Sequence, residues 1–460
     1  MQIDGLIGSN GILPAKELLD EVSGMVGASR YWWLPTLYWL SSSDAMLGGL
    51  CAAGMALAVL LFVGIAPVVC LVGLWISYLS IEAVGEDFLS FQWDILLLET
   101  GFLAIFLAPL GLWPSRAREA APRPEIVWLL RWLLFRVMFS SGAVKLLSGD
   151  ATWRNLTALE YHYWTQPLPT WIGWYANLPP AWWQELSCAA MFAIELGAPC
   201  LIWGGAVPRL VPFVPRVFLQ LLIFATGNYC FFNLLTIALC VLLVDDSSWP
   251  ASLRRDDGAR SAERAGRWPR WITAPVAALI VTLSVLQMFS LSRIGLDWPE
   301  PLHYLRRIAS PLRLVNGYGL FAVMTTTRPE IVVEGSDDGE HWVEYEFKWK
   351  PGDLARAPAF VEPHQPRLDW QMWFAALGRY EQNPWFVAFV HRLLEGSKEV
   401  EALLARTPFA DHPPRYVRAV LYQYRFSDLA ERRATGRWWT RERDRLYLPE
   451  VSLDSFRRER

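Results

Sequence analysis

The chain has 460 residues, of which 53% are hydrophobic and 19% charged, against about 45–50% apolar and ~25% charged in soluble domains. Its net charge is −3, so it offers no basic surface for nucleic acid, and its 26 tryptophans suit a protein with broad interfacial belts. The apolar excess lies before Leu291, which points to a polytopic membrane protein with a soluble tail.

Residues 1–45 form an N-terminal segment. It holds the turn-rich stretch GLIGSNGILP (5–14) and a short amphipathic helix from Pro14 to Val22, with no signal peptide ahead of them. Residues 46–83 are an apolar run too long for one crossing, at about 20 residues each. Gly64 and Pro67 break it into spans 46–63 and 66–83. Further spans are expected at 89–113, 126–148, 185–205, 209–227, 229–245 and 271–291, about eight in all. Arg116, Arg118 and Arg123 lie between the third and fourth, and Arg254, Arg255, Arg260, Arg264, Arg267 and Arg270 between the seventh and eighth. Short Arg-rich loops stay cytoplasmic. The outer loop 149–184 carries only Arg154, so it faces the opposite side, as does everything after Leu291. Counting backward puts residues 1–45 outside too. A first helix upstream is therefore expected, this chain starting at an internal Met.

Residues 292–460 read as an extracytoplasmic or lumenal α+β domain, β-sandwich-like with a helical insert. Residues 329–349 look like two strands joined at Ser336–Gly339, 368–406 like short helices, and 415–426 like a strand.

Charges inside the spans cost about 2.5–3.5 kcal/mol each and persist where they are paired or used. Asp94 and Glu99 lie in span three, Arg131, Arg136 and Lys145 in span four, and Glu195 in span five. At 100° per residue, Arg131 and Lys145 fall about 40° apart on one face, with Arg136 rotated away. One reading is an ion-pair cluster locking three spans together. The other is a polar cavity in which Lys145, with Glu99 or Glu195, serves as general base toward a lipid-like or protein substrate. The outer loop is loaded with aromatic and polar side chains, among them Trp153, Tyr161, His162, Tyr163, Trp164 and Gln166. It is read either as an interfacial belt or as a lid or docking surface. The six cysteines lie in or beside spans, without CxxC or Cys/His spacing, and read as packing residues. No soluble catalytic fingerprint, metal spacing or cofactor motif is present. Arg367, Trp370, Trp373 and Phe374, in PHQPRLDWQMWFAALG (363–378), form either core or a client-binding face.

The words SFQWDILLLETGFLA (90–104), RWLLFRVMFSSGAVKLLSGD (131–150), WRNLTALEYHYWTQPLP (153–169), TGNYCFFNLLT (226–236) and PHQPRLDWQMWFAALG together resemble the lipase maturation factor family over nearly the whole chain. The resemblance implies a membrane-resident helper of secreted lipases that acts by client binding, without a cofactor. Its partners would be a secreted lipase or other exported client and the surrounding membrane lipid. Its home would be the inner membrane in a bacterium or the ER membrane in a eukaryote. SGAVKLLSGDATW is also similar, over that short segment, to the vitamin K-dependent carboxylase superfamily, which underlies the intramembrane-enzyme alternative for Lys145.

Overall fold

The computed structural model describes residues 2–113, 121–205, 209–244, 268–291 and 298–458. Arg116, Arg118 and the arginines from Arg254 to Arg267 lie outside these. Two helices open the chain, α1 (Gln2–Ile7) and α2 (Ala15–Val26). Between them the backbone folds so tightly that a Cβ on Gly11 would sit 2.8 Å from the Asp4 carbonyl oxygen, and one on Gly8 closer still.

Among the described residues the apolar half is built on eight longer helices, with short helical turns between them. They are α3 (Asp44–Val63), α4 (Pro67–Val84), α5 (Gln92–Leu107), α6 (Pro124–Leu147), α7 (Ala181–Trp203), α8 (Phe213–Thr226), α9 (Phe232–Val241) and α10 (Arg270–Leu291). All fall on the segments expected as spans. Five of them, α3, α4, α6, α7 and α10, are long and apolar enough to cross a membrane. Helices α5, α8 and α9 have 16, 14 and 10 residues, fewer than the roughly 20 a full crossing takes.

Local chemistry explains the breaks. Ser43 caps α3 by accepting the Met46 amide at 3.3 Å, and α3 ends at Gly64, whose φ of 85° only glycine adopts readily. Pro67 then opens α4, in the first turn, where a missing N–H costs nothing. Helix α3 buries only Leu47 and Leu50; an apolar helix with so little protein around it has lipid as its remaining solvent. Helix α6 is the opposite case. Its Leu129, Leu133, Leu134 and Val137 are buried at the centre of the helical core. Helix α7 carries a π turn over Ala193–Gly197. Pro199 has no N–H for the Glu195 carbonyl, so the regular ladder fails there and the turn widens.

After α11 (Glu300–Ala309) the chain threads back, and Leu314, Tyr318 and Met324 join the helical core. The α+β domain follows with β1 (Pro329–Ser336), β2 (Val343–Glu344), β3 (Glu346–Phe347), α12 (Arg367–Ala376), α13 (Pro384–Glu395), β4 (Leu404–Arg406), β5 (Tyr416–Phe426) and β6 (Trp439–Val451). One sheet runs β2-β1-β5-β6 and a second pairs β3 with β4, all antiparallel. The register sets Ile331 against Leu421 and Val333 against Ala419. Their apolar side chains meet α12 and α13 through Met372, Phe386 and Phe389. Helices thus take most of the place that a second full sheet would hold in the expected β-sandwich. Ile3, Leu6, Ile7 and Ile12 belong to this same core, with Arg392 donating to the Gly11 carbonyl at 2.8 Å and Ser397 to that of Asn10 at 2.7 Å.

Candidate functional site

The intramembrane charges do not gather into one cluster. Glu99 pairs with Arg136 and also accepts from Tyr318 at 2.8 Å and from the Asn316 amide at 3.1 Å. Arg131 donates to the Leu242 carbonyl at 2.9 and 2.8 Å. Lys145 pairs with Glu195 at 2.6 Å, its Nζ 5.3 Å from the Trp153 ring centre. Helical phase places Arg131 and Lys145 on one face, yet they serve different neighbours because α6 is surrounded by protein. Asp94 turns outward to Arg367 of the α+β domain, at 2.7 and 3.0 Å.

That last pair belongs to a seam between the helical and α+β domains. The sequence word PHQPRLDW supplies one side of it. Arg367 also donates to the Phe88 carbonyl at 2.7 Å, and Tyr78 donates to Asp94. Trp370 stands edge-on to Trp93 with ring centres 4.9 Å apart. Trp373 donates to the Thr165 carbonyl at 2.7 Å. Arg367, Trp370 and Trp373 are therefore buried, and Phe374 alone of the four is exposed. The hydrophobic pattern places these aromatics on the apolar side of a helix, but the partner they cover is the membrane domain.

The outer loop supplies the other side. It is built of short helices Ala151–Arg154, Leu159–Thr165 and Trp171–Ala176. Fully buried Arg328 holds three carbonyls of this loop, donating to Trp164 at 2.7 Å, to Gln166, and to Pro167 at 2.8 Å. Glu330 balances Arg328 at 2.8 Å and Lys350 at 2.9 Å. Gln166 donates to Thr226 at 2.9 Å and accepts from Tyr229 at 2.6 Å. A Cβ on Gly227 would collide with Gln166 Oε1. Asn228 bridges the domains, donating to Ala359 at 2.9 Å and accepting from Val361 at 2.8 Å. Glu362 accepts the Tyr229 amide; burial pushes its carboxyl up to about 9 against that bond. The first half of the loop is thus packed inward, whereas Trp171, Tyr175, Trp182 and Trp183 beyond it are exposed.

Beneath the loop lies a cavity of about 520 Å³ between α6, α7, α8 and the start of α9. Its walls are apolar, with Trp153, His162 and Tyr163 of the loop among them. Lys145 and Glu195 line it, brought together by the π turn and by Gly142, where a Cβ would lie 3.0 Å from that of Glu195. Gln220 and Asn233, hydrogen-bonded at 2.8 Å, line it from α8 and α9. Burial, with the Lys145 charge adding to it, pushes the His162 pKa down to about 4, so its ring is neutral at physiological pH. Tyr161 and Trp164 instead support the loop, Trp164 donating to the Glu160 carbonyl at 3.0 Å. Sequence reasoning misses Arg328 and Gln220 as site residues, and reads Asn233, beside the turn between the sixth and seventh spans, as a helix cap or bridge. Gln220 carries a signal, being a polar residue in an apolar helix; Arg328 carries none beyond its type.

Residues 1–251 match the sequence profile of the lipase maturation factor transmembrane domain, and residues 314–449 that of the lipase maturation factor C-terminal domain. Lipase maturation factor 2 of Homo sapiens is 38% identical, over 98% of this chain and 80% of that protein. The same-named protein of Gallus gallus is 36% identical, over 98% and 78%. Lipase maturation factor 1 of Bos taurus is 34% identical, over 98% and 85%. No solved structure matches the chain.

Proposed function

The chain belongs to the lipase maturation factor family, and we propose that it is a membrane-embedded factor that helps a secreted lipase reach its mature form by holding it. The observation that carries this reading is the match of both domains, over nearly the whole chain, to proteins named for that activity. The seam supports it physically. A client is held best by a platform that does not give, and the α+β domain is fastened to the membrane domain by the buried Arg367–Asp94 ion pair, by the Arg328 hydrogen bonds to the loop and by the Trp373 hydrogen bond. We assign Phe374 to the client face and Arg367, Trp370 and Trp373 to holding its helix in place.

The same reading puts the α+β domain on the extracytoplasmic or lumenal side. Helices α3 to α10 would make eight crossings, and an even number is required if α1 is to share a core with α13, as it does. The shorter helices would cross at thinned or protein-lined depth. For the alternative of catalysis by Lys145, the relatives offer no support, and Glu99 belongs to Arg136 and Tyr318.

The test is deletion of the gene in its own host, complemented with wild type or Lys145→Ala, with secreted lipase activity, lipase synthesis and membrane lipids measured together. Lost lipase activity at normal synthesis, restored by both versions, supports client holding. Rescue of an altered lipid profile by wild type alone would overturn it in favour of an enzyme.

A further inference from the structure

We infer that the cavity beneath the outer loop is a binding site for an uncharged acyl lipid of the acylglycerol kind, entered sideways from the membrane. Four features carry this. The first is size and lining. About 520 Å³ lies within the roughly 300–1,000 Å³ of ligand sites, and apolar walls with a few convergent polar groups are their usual make-up.

The second is the entrance. Phe218, Leu222 and Trp183 line the cavity and are also 57%, 45% and 48% exposed on the outside of the helices. They stand on α7 and α8, so the opening lies between those two helices and meets acyl chains. A protein pocket for a water-borne ligand would open through the loop, which here is packed shut by Arg328 and Gln166.

The third is the set of unsatisfied atoms. His162 Nδ1 and Asn233 Oδ1 are covered from solvent and have no hydrogen-bond partner among the described residues. Asn233 is 1% exposed. An unmet buried polar atom destabilises the fold; a ligand hydroxyl can donate to the Asn233 amide oxygen, and a hydroxyl or ester oxygen can accept from an imidazole N–H.

The fourth is charge. Lys145 and Glu195 neutralise each other at 2.6 Å and His162 is uncharged. A fatty acid or a phosphate would bring a net charge into a site with no free counter-charge among the described residues, which is expensive away from water. A glyceryl head brings none.

Lipid binding here does not depend on client holding. It is tested on the full-length protein in phosphatidylcholine nanodiscs with a monoacylglycerol carrying a diazirine in its chain and a terminal alkyne. Labelled peptides are mapped, with α3, a lipid-facing helix outside the cavity, as internal control. Labelling should concentrate on α7 and α8 and fall by about tenfold with excess unlabelled monoacylglycerol, while labelling of α3 stays. The free fatty acid should compete far less. Ile223→Trp, which fills the cavity from its wall, should abolish the competable fraction; Ser141→Leu does so from α6 should the first variant fold poorly. Equal labelling of α3 and α7–α8 with no competition would overturn the site, and equal competition by fatty acid would overturn the assigned head group.

Discussion

Arg367 and Asp94 are separated by 273 residues in sequence and joined by two hydrogen bonds, with side chains 10% and 0% exposed. Burial works against the Arg367 charge, and Asp94 more than restores it. Removing one partner of such a pair strands a buried charge, which costs about 3–5 kcal/mol, whereas replacing both by uncharged groups of similar shape is often close to neutral. Arg367→Met alone should therefore weaken the seam by about 3–5 kcal/mol, and Asp94→Asn alone by a similar amount. In the double variant the new carboxamide oxygen can accept from the Phe91 amide where Oδ2 stood, while the amide nitrogen, where Oδ1 stood, donates to the Tyr78 hydroxyl, which turns to accept. The thioether chain introduced by Arg367→Met fills the space of the guanidinium. The double variant should be more stable than either single variant, recovering more than half of the summed loss. The assay is a brief protease pulse across a urea series on full-length protein in micelles, scoring intact chain. If the double variant is as weak as the two single losses added together, the pair is not coupled and the seam is held by the tryptophans instead.

Three other sites give measurable outcomes. Arg328→Met should leave the carbonyls of Trp164 and Pro167 without their donor and the Glu330 carboxylate with Lys350 alone, raising amide exchange over residues 160–170 while that of α3 is unchanged. Gly227→Ala drives a methyl group into Gln166 Oε1 and should cost at least ~1–3 kcal/mol, whereas Gly24→Ala, inside α2 with nothing within 4 Å, should leave the melting temperature unchanged or slightly raised. Glu362 titrates near 4.5 unfolded and about 9 folded, so the folded state holds the extra proton between those values. Its contribution to stability is complete below about 4.5 and is lost as pH rises toward 9. The melting temperature should fall between pH values of about 5.5 and 8.5, and Glu362→Gln should flatten that slope.

The helices are legible because their signal is local. A run of apolar residues with Gly64 and Pro67 at its middle contains its own break, the strand at 416–426 shows in its alternation, and that at 329–336 shows in the turn residues that follow it. Strand β6 is not legible. Its middle, Glu442 to Arg445, is charged and exposed on a sheet edge, where charge protects against unwanted pairing and hides the alternation. The charges themselves are legible as a problem but not as a solution. Nothing local tells Asp94 that its partner is Arg367 rather than Arg131, because only the packing of two domains brings those side chains together. The cavity is half legible: Lys145 and Glu195 stand out in their spans, yet the π turn that aims Glu195 depends on Pro199 interrupting a helix ladder.

The shared core of α1 and α13 also imposes a timetable. Gly11 and Arg392, which touch, lie 381 residues apart, and at about 5–20 residues per second a ribosome needs roughly 20–75 seconds to produce the second after the first. For that interval Ile3, Leu6, Ile7 and Ile12 have no groove to enter. The newborn chain carries an unsheltered apolar strip for that time, and a chain stopped short of α13 would carry it for good, a target for the quality-control machinery around it.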